Sequence, residues 1–357
     1  MKLHAHIQAA GQWKAPERDF SSVLLDLNEN QFLEALLGDF IGNALQSRDV
    51  YSYPNYAELL SALSEYCQVP AEHLLLTNGA DQAIDLVVRL VFSPGARVVV
   101  PSPVFSFYYQ MLRVNGLEPV VVPYERQGPA FSLATDAVLE ALQGGDGLIL
   151  CNPNNPLGVQ IEPQALHSMI RTCIEQNKPV IVDECYFEYL RHSCLETYSG
   201  LEQLFVIRSF SKYFGLAGLR LGYVVASAHA VRQLLKVRGP WDVNQVAVKA
   251  ALHCLANLPV LAAAHRQLDQ TKTQLIESCQ GLGLGVINTH ANFLLLEDSS
   301  ERRLAKALFK ARIRFSDCSV YPHSGELLAN LLRVAIPGPG DVKTFTQALH
   351  SAASPMP

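Results

Sequence analysis

Between residues 73 and 226 the chain alternates short apolar runs with amphipathic segments, and this alternation limits the possible folds more than any other feature. His73–Thr77, Arg97–Pro101, Pro119–Pro123, Gly147–Cys151, Val180–Val182, Leu204–Ile207 and Leu219–Ala226 read as strands. Helical patterns separate most of them: Gly79 to about Phe92, Val104–Asn115, Asp136–Gln143 and Pro163–Gln176. Runs that are apolar at every position, rather than at every second one, belong to strands buried on both faces. The expectation is an α/β fold: a mainly parallel sheet with helices on both sides, its binding site at the carboxyl ends of the strands.

The rest of the chain is arranged around that unit. Residues 1–45 read as an arm packing on a smaller C-terminal domain, ordered around Leu24-Leu25-Asp26-Leu27-Asn28-Glu29-Asn30, with a helix over Gln31–Gln46. Tyr51-Ser52-Tyr53-Pro54-Asn55-Tyr56 is an aromatic turn, and a helix over Ala57–Cys67 follows it. Residues 46–245 form the large domain. After Asn244 the alternation stops, and 246–357 reads as a small α+β domain. Its helices cover Gln245–Leu255, Pro259–Gln280, Glu301–Lys310 and Val342–Ala352; its strands cover Gly285–Thr289, Asn292–Leu296, Ala311–Phe315 and Leu331–Ile336. A chain of 357 residues is long enough for two such cores. The net charge of -5, with no basic tract, argues against a nucleic-acid partner. No apolar run approaches the roughly 20 residues that span a bilayer, and the N-terminus lacks the apolar core of a signal peptide. The eight cysteines contain no C-x-x-C pair and read as reduced thiols of a cytoplasmic protein, with neither a disulfide framework nor a metal site expected.

Ser209-Phe210-Ser211-Lys212-Tyr213-Phe214-Gly215-Leu216-Ala217-Gly218-Leu219-Arg220 is the most informative stretch for chemistry. Lys212 sits at the mouth of a strand with no carboxylate close in sequence. A desolvated lysine becomes a nucleophile that forms a Schiff base with an aldehyde. Ser209 and Ser211 before it and Arg220 after it suit a phosphate dianion. An aldehyde and a phosphate together describe pyridoxal 5'-phosphate, whereas an isolated S-x-S-K reads more simply as a surface lysine beside a turn.

A pyridine ring that is to accept electrons needs a carboxylate at its nitrogen. Asp183 ends an apolar strand, and strand alternation points the competing Glu184 the other way. Tyr186 is placed to hydrogen-bond a phenolic oxygen, and an Asn amide from the Cys151-Asn152-Pro153-Asn154-Asn155-Pro156 turn reaches the same atom. Thr77-Asn78-Gly79-Ala80-Asp81 is a strand–turn–helix junction whose N–H groups suit an anion, with Asp81 reading as a helix cap. Arg333 interrupts an apolar strand, so it requires either an internal acid or a ligand carboxylate. Asn28 and Asn30 matter only if their turn faces the pocket.

Taken in order, Tyr53, Gly79-Ala80-Asp81, Phe105, Asn155, Asp183, Tyr186, Lys212, Arg220 and Arg333 resemble the fold-type I pyridoxal-phosphate enzymes of the aspartate aminotransferase superfamily. The resemblance implies that Phe105 stacks on the pyridine, that Ala80 and Asp81 meet the phosphate by their backbone, and that Asn155 is the asparagine of the N-P-x-G-like loop. It also implies that Arg333 binds the substrate carboxylate. Tyr53 is then the tyrosine that reaches a neighbour's cofactor phosphate, which makes the protein a homodimer. The closest likeness is to the histidinol-phosphate aminotransferase group, through Leu-Asn-Glu-Asn, Gly-Ala-Asp and Ala-Gly-Leu-Arg-Leu-Gly-Tyr. That implies ping-pong transfer from a small-molecule amino donor to a 2-oxo acid acceptor, with Lys212 as the base. The group's Asn-Glu-Asn-Pro is broken by Gln31, and Ser316 stands where the group has a second, phosphate-gripping arginine. Arg314, two residues earlier on the same strand face, is the candidate substitute. Threonine-phosphate decarboxylase, a lyase, is a near relative that Pro240-Trp241-Asp242-Val243-Asn244 and Cys318-Ser319-Val320-Tyr321-Pro322 also resemble.

Overall fold

The structure is a computed structural model that describes residues 4–12 and 14–354. The outermost positions assigned to the arm and to the C-terminal domain, 1–3 and 355–357, lie outside the described residues, as does position 13.

An eight-stranded sheet forms the centre. Its strands in chain order are β1 (Leu74–Thr77), β2 (Arg97–Ser102), β3 (Glu118–Gln127), β4 (Ala130–Leu133), β5 (Gly147–Cys151), β6 (Val180–Asp183), β7 (Leu204–Ser209) and β8 (Gly222–Val225). Across the sheet they lie β1-β8-β7-β6-β5-β2-β3-β4. The pairings among β3, β2, β5, β6 and β7 are parallel, as the continuous apolar runs predict. Two strands depart from that pattern. β8 runs antiparallel between β1 and β7, and β4 is an antiparallel edge strand folded back from β3.

Strand parity sorts the core. Val180 and Val182 enter the apolar layer on one face with Leu148, Leu150, Leu204 and Val206. Ile181 enters the layer on the other face with Ile149, Phe205 and Ile207. Each such side chain, removed from water on folding, contributes about 1.5–3 kcal/mol. The same parity sends Asp183 and Glu184 to opposite faces.

The run expected at Leu219–Ala226 begins as strand only at Gly222, because a 3-10 turn (Ala217–Leu219) and a left-handed Arg220, with φ 55°, precede it. The helix Ala228–Val237, which returns from β8, does not stand out from the sequence. The expected helix over 31–46 is a succession of 3-10, α and π turns from Gln31 to Ala44.

A second, four-stranded antiparallel sheet has the order Val286–Ile287, Phe293–Glu297, Leu331–Ala335, Ser316–Asp317. Leu294, Leu296, Leu332 and Val334 share a core with Phe345 and Leu349 of the last helix, and with Leu25 and Phe32 of the arm. The arm's Val23–Leu24 pairs in parallel with Ile313–Arg314, and the Leu25 carbonyl accepts from the Ala335 N–H at 2.8 Å. The arm also reaches the large sheet, since Leu33, Leu36 and Phe40 lie in its core. That core continues past residue 245 through Ala247, Val248, Ala251 and Leu261, so helix Gln245–Ala256 rests on the large sheet. Among the described residues no single helix is long and apolar enough to cross a membrane; the bent pair Gln245–Ala256 and Leu258–Gly281 meets that test only jointly.

Candidate active site

The register of the strands brings the motifs to one edge. Cys151 pairs with Asp183, Asp183 with Ile207, Ser209 with Gly222, and Gly222 with Thr77. The loops after β1, β5, β6 and β7 therefore open side by side at the carboxyl ends.

Asp183 is 4% exposed. Its carboxylate accepts from the Cys185 N–H at 3.0 Å and from the Tyr108 hydroxyl at 3.0 Å, and no cation pairs with it among the described residues. Burial raises its pKa. A buried acid with oxygens to spare is suited to a charged N–H donor such as a pyridinium. Glu184, on the opposite face, is closed in a buried pair with Arg208 at 2.9 Å and accepts from Ser193 and Cys194. Beyond it Glu188 is 6% exposed with both oxygens unpartnered, and burial pushes its pKa up to about 8.

Lys212 is half-buried and donates to the Leu27 carbonyl of the arm at 2.8 Å, above the Tyr186 ring at 5.8 Å. Burial first, and the Arg333 charge second, bring its amine down to about 8. The loop is held tightly behind it. The Tyr213 carbonyl accepts from Asn30 Nδ2 and from His265 Nε2, both at 3.0 Å, while the His265 ring stacks on Tyr213 at 3.6 Å. Burial lowers the His265 pKa to about 4, which leaves a neutral imidazole with Nε2 protonated for that bond.

On the phosphate side, Arg220 Nη2 reaches Asp81 at 2.8 Å, and Nη1 reaches Ser211 Oγ at 3.5 Å. Asp81 is thus an anchor for Arg220; it is not the cap of helix Gly79–Val91, whose N-cap is Asn78. A Cβ at Gly79 would stand 2.5 Å from the Arg220 guanidinium, and one at Gly222 would stand 2.8 Å from the Ala80 nitrogen. Only glycine lets these groups converge. Ser209 Oγ accepts from the Ser211 N–H at 3.0 Å.

Arg333 is 4% exposed, and among the described residues no acid pairs with it. Its Nη1 donates to Asn155 Oδ1 and, at 2.7 Å, to the Tyr321 hydroxyl. Its Nη2 donates to the Asp26 carbonyl at 2.7 Å, while Nε has no partner. Tyr186, buried, accepts from Asn28 Nδ2 at 2.8 Å. Asn28 sits at φ 57°, and its Oδ1 is buried without a partner.

Three expected positions fall elsewhere. Asn30 is engaged within the protein, with Oδ1 capping Phe32 and Nδ2 holding Tyr213, in the turn behind Lys212. Arg314 is exposed on the ladder with the arm, paired with Leu24, whereas Ser316 pairs with Arg333. The chain changes ladders between them, so the same-face argument fails. Tyr53 is 78% exposed and stacks on Trp241 at 4.4 Å, on the outside of its own chain. Phe105, half-buried, precedes helix Phe107–Val114. Tyr108 and His265 reach the site without any sequence signal beyond ordinary helical positions, and Tyr321 comes from the Cys318–Pro322 motif without being read as a site residue. A large cleft of about 1090 Å³, beside Arg126, Ile287 and Glu297, contains none of these residues.

The profile of aminotransferase class I and II matches residues 22–351. The chain belongs to this aminotransferase family. A histidinol-phosphate aminotransferase of Ralstonia nicotianae is 32% identical to it, covering 98% of this chain and 94% of the relative. A putative threonine-phosphate decarboxylase of Caldanaerobacter subterraneus is 27% identical over 87% of this chain and 86% of that one. The crystal structure of histidinol-phosphate aminotransferase from Sinorhizobium meliloti in complex with pyridoxal-5'-phosphate superposes with TM-score 0.81 at 19% identity, covering 93% of this chain and 90% of the other. This aminotransferase therefore has the fold-type I architecture, and its cofactor is pyridoxal 5'-phosphate. The residues present fit that group. The unmatched Asp183 carboxylate, the Gly79 and Gly222 cradle and the depressed Lys212 amine supply a cation-seeking acid, an anion seat and a nucleophile.

Proposed function

We propose that this aminotransferase is a cytoplasmic homodimer, similar to the histidinol-phosphate aminotransferases, with a ping-pong cycle. It moves an amino group between an amino acid or amino-alcohol phosphate and a 2-oxo acid. The observation that carries the reading is a pair of buried, unmatched charges: among the described residues no cation pairs with Asp183 and no acid pairs with Arg333. A buried charge without a partner is costly, so each is kept for a ligand.

In this reading Asp183 holds the pyridine nitrogen, with Tyr108 and Cys185 fixing its carboxylate. Asn155 and Tyr186 meet the phenolic oxygen, and Phe105 covers the ring. Gly79, Ala80 and Asp81 through their N–H groups, with Ser209, Ser211 and Arg220, hold the phosphate. The bound cofactor supplies the electron sink that weakens bonds to the substrate's alpha carbon. Lys212 would hold the aldehyde end, and its free amine would take and return the proton at the substrate's alpha carbon. Arg333 orients the substrate's anionic group, and the Asn28 amide supports Tyr186.

Tyr53 serves the partner subunit's site. Its exposure beside Trp241, Tyr51 and Val50, all exposed, supports a surface covered by a second copy. The division into arm 1–45, cofactor domain 46–245 and small domain 246–357 belongs to the same reading, with helix Gln245–Ala256 still lying on the cofactor domain. Eight free cysteines support a reducing compartment.

The similarity to a threonine-phosphate decarboxylase motivates a single-turnover test of the loaded enzyme with histidinol phosphate and with threonine phosphate. Conversion of the cofactor to its amine form supports transfer. Stoichiometric carbon dioxide release without that conversion would replace the aminotransferase by a lyase.

A further inference from the structure

Asn155 and Tyr186, the residues assigned above to the cofactor's phenolic oxygen, are both held by one turn of the small domain, residues 289–292. On one side Asn292 Nδ2 donates to the Asn28 carbonyl at 2.9 Å, and Asn28 Nδ2 donates to the Tyr186 hydroxyl. Phe293, the first residue after the turn, meets the Tyr186 ring edge-on at 5.9 Å. On the other side the His290 N–H donates to the Gly158 carbonyl at 2.6 Å. The Gly158 N–H returns to the Asn154 carbonyl at 2.8 Å, and the Leu157 N–H to Asn154 Oδ1 at 3.0 Å, which closes the loop that carries Asn155. The seat is close: a Cβ at Gly158, whose φ is 66°, would stand 2.3 Å from Thr289 Cβ.

A buried cation fixes the turn. Lys272 projects from helix Leu258–Gly281 and is 8% exposed. Its Nζ donates to the Thr289 carbonyl at 2.5 Å, to the Ala291 carbonyl at 2.8 Å and to Thr289 Oγ1 at 3.4 Å. An ammonium carries three N–H donors, and these three oxygens match them. Among the described residues no acid forms an ion pair with it. Burial brings its pKa down to about 8, opposed by the charge of Asp269, so the group is mostly protonated near pH 7. Removing the ammonium takes the short donors from two buried carbonyls, and the turn loses the anchor beneath both of its contacts.

We propose that Lys272 is a positioning residue of the active site: its ammonium fixes the turn 289–292, and that turn sets Asn155 and Tyr186 against the cofactor's phenolic oxygen. This rests on the assignment of those two residues made above. Donors at that oxygen hold its negative charge away from the neighbouring nitrogen, so loosening them lets the bound cofactor keep its proton to higher pH.

The test compares the loaded holoenzyme with Lys272→Met and Lys272→Arg in two readouts besides turnover. One is the pH midpoint of the bound cofactor's absorbance, and the other is amide hydrogen exchange of residues 152–158, read by mass spectrometry. Lys272→Met keeps the apolar stem and loses the donors. It is expected to raise the midpoint by at least about half a pH unit, roughly a threefold change in the proton equilibrium, and to speed exchange of 152–158 about threefold or more. Lys272→Arg keeps a charged donor and is expected to stay closer to the unmodified enzyme in both. An unmoved midpoint in Lys272→Met, a midpoint moved as far in Lys272→Arg, or faster exchange confined to 288–292 overturns the proposal. Should Lys272→Met not fold, Gly158→Ala forces the turn off the loop with Lys272 in place, and an unmoved midpoint there overturns it equally. Asn155→Ala checks the underlying reading separately: if it leaves the midpoint in place, the assignment of Asn155 fails, while exchange of 152–158 still decides whether Lys272 holds the loop.

Discussion

The depressed amine of Lys212 has a measurable consequence for cofactor uptake. Condensation with an aldehyde requires the neutral amine. With a pKa of about 8, lowered from 10.5 by burial and then by the Arg333 charge, about a tenth of Lys212 is neutral near pH 7. An ordinary lysine at 10.5 would be neutral in only about 3 parts in 10,000 under the same conditions, so the environment raises the reactive fraction about 300-fold. The perturbation is pH, and the assay is stopped-flow reconstitution of the cofactor-free enzyme with pyridoxal 5'-phosphate, followed by absorbance. The rate should rise about tenfold per pH unit below about 8 and level off above it. Arg333→Gln removes the second cause and should move the break upward, toward the value that burial alone sets. The same shift acts on stability. Between about 8 and 10.5 the unfolded chain binds a proton that the folded chain does not, so this group makes stability rise with pH across that window. A reconstitution rate that climbs without a break to pH 10 would refute the argument, because Lys212 would then be an unperturbed lysine.

Other consequences are as direct. Asp183→Asn should still bind cofactor but lose turnover on the order of 100-fold, since the ring nitrogen loses its charged partner; steady-state rates alongside the bound-cofactor spectrum decide it, and near-normal turnover removes Asp183 from its role. Mixing Lys212→Ala with Tyr53→Ala, each inactive alone, should restore activity through heterodimers that carry one complete site, whereas a site built within one chain gives no recovery. Glu188, raised from 4.5 to about 8, favours its neutral form on folding, so its contribution is fully present below about 4.5 and is lost as pH rises through about 8. Glu188→Gln should therefore abolish a stability loss of order a few kcal/mol between about pH 5 and 9, read by urea unfolding at both pH values.

The parts of the site that are legible in the sequence are those whose position follows from a strand ending. Lys212, Asp183, Asn155 and Gly79 each lie just past an apolar run, and parallel strands bring such ends together. The separation of Asp183 from Glu184 follows from the two-residue period alone, and Arg208 closes on Glu184 as the far face requires. The direction of β8 was not legible, because an apolar run reads the same whichever way its neighbours point.

Period-two arguments fail where a run changes partner. Arg314 and Ser316 are two apart, but the first pairs with the arm and the second with Arg333, so the exposed arginine and the site-facing serine do not share a face. His265 and Tyr108 were hidden for a different reason. Each projects from a helix whose other core-facing residues are mostly apolar, and a polar group there is visible only when the opposing carbonyl or carboxylate is known. The same holds for the arm. Asn28 and Asn30 look alike in Leu-Asn-Glu-Asn, yet Asn28 turns to Tyr186 and keeps a buried oxygen unpartnered, while Asn30 engages both its oxygen and its nitrogen in holding the turn behind Lys212. An asparagine that closes its own hydrogen bonds fixes the geometry, and one that leaves an acceptor open is the residue a ligand can reach.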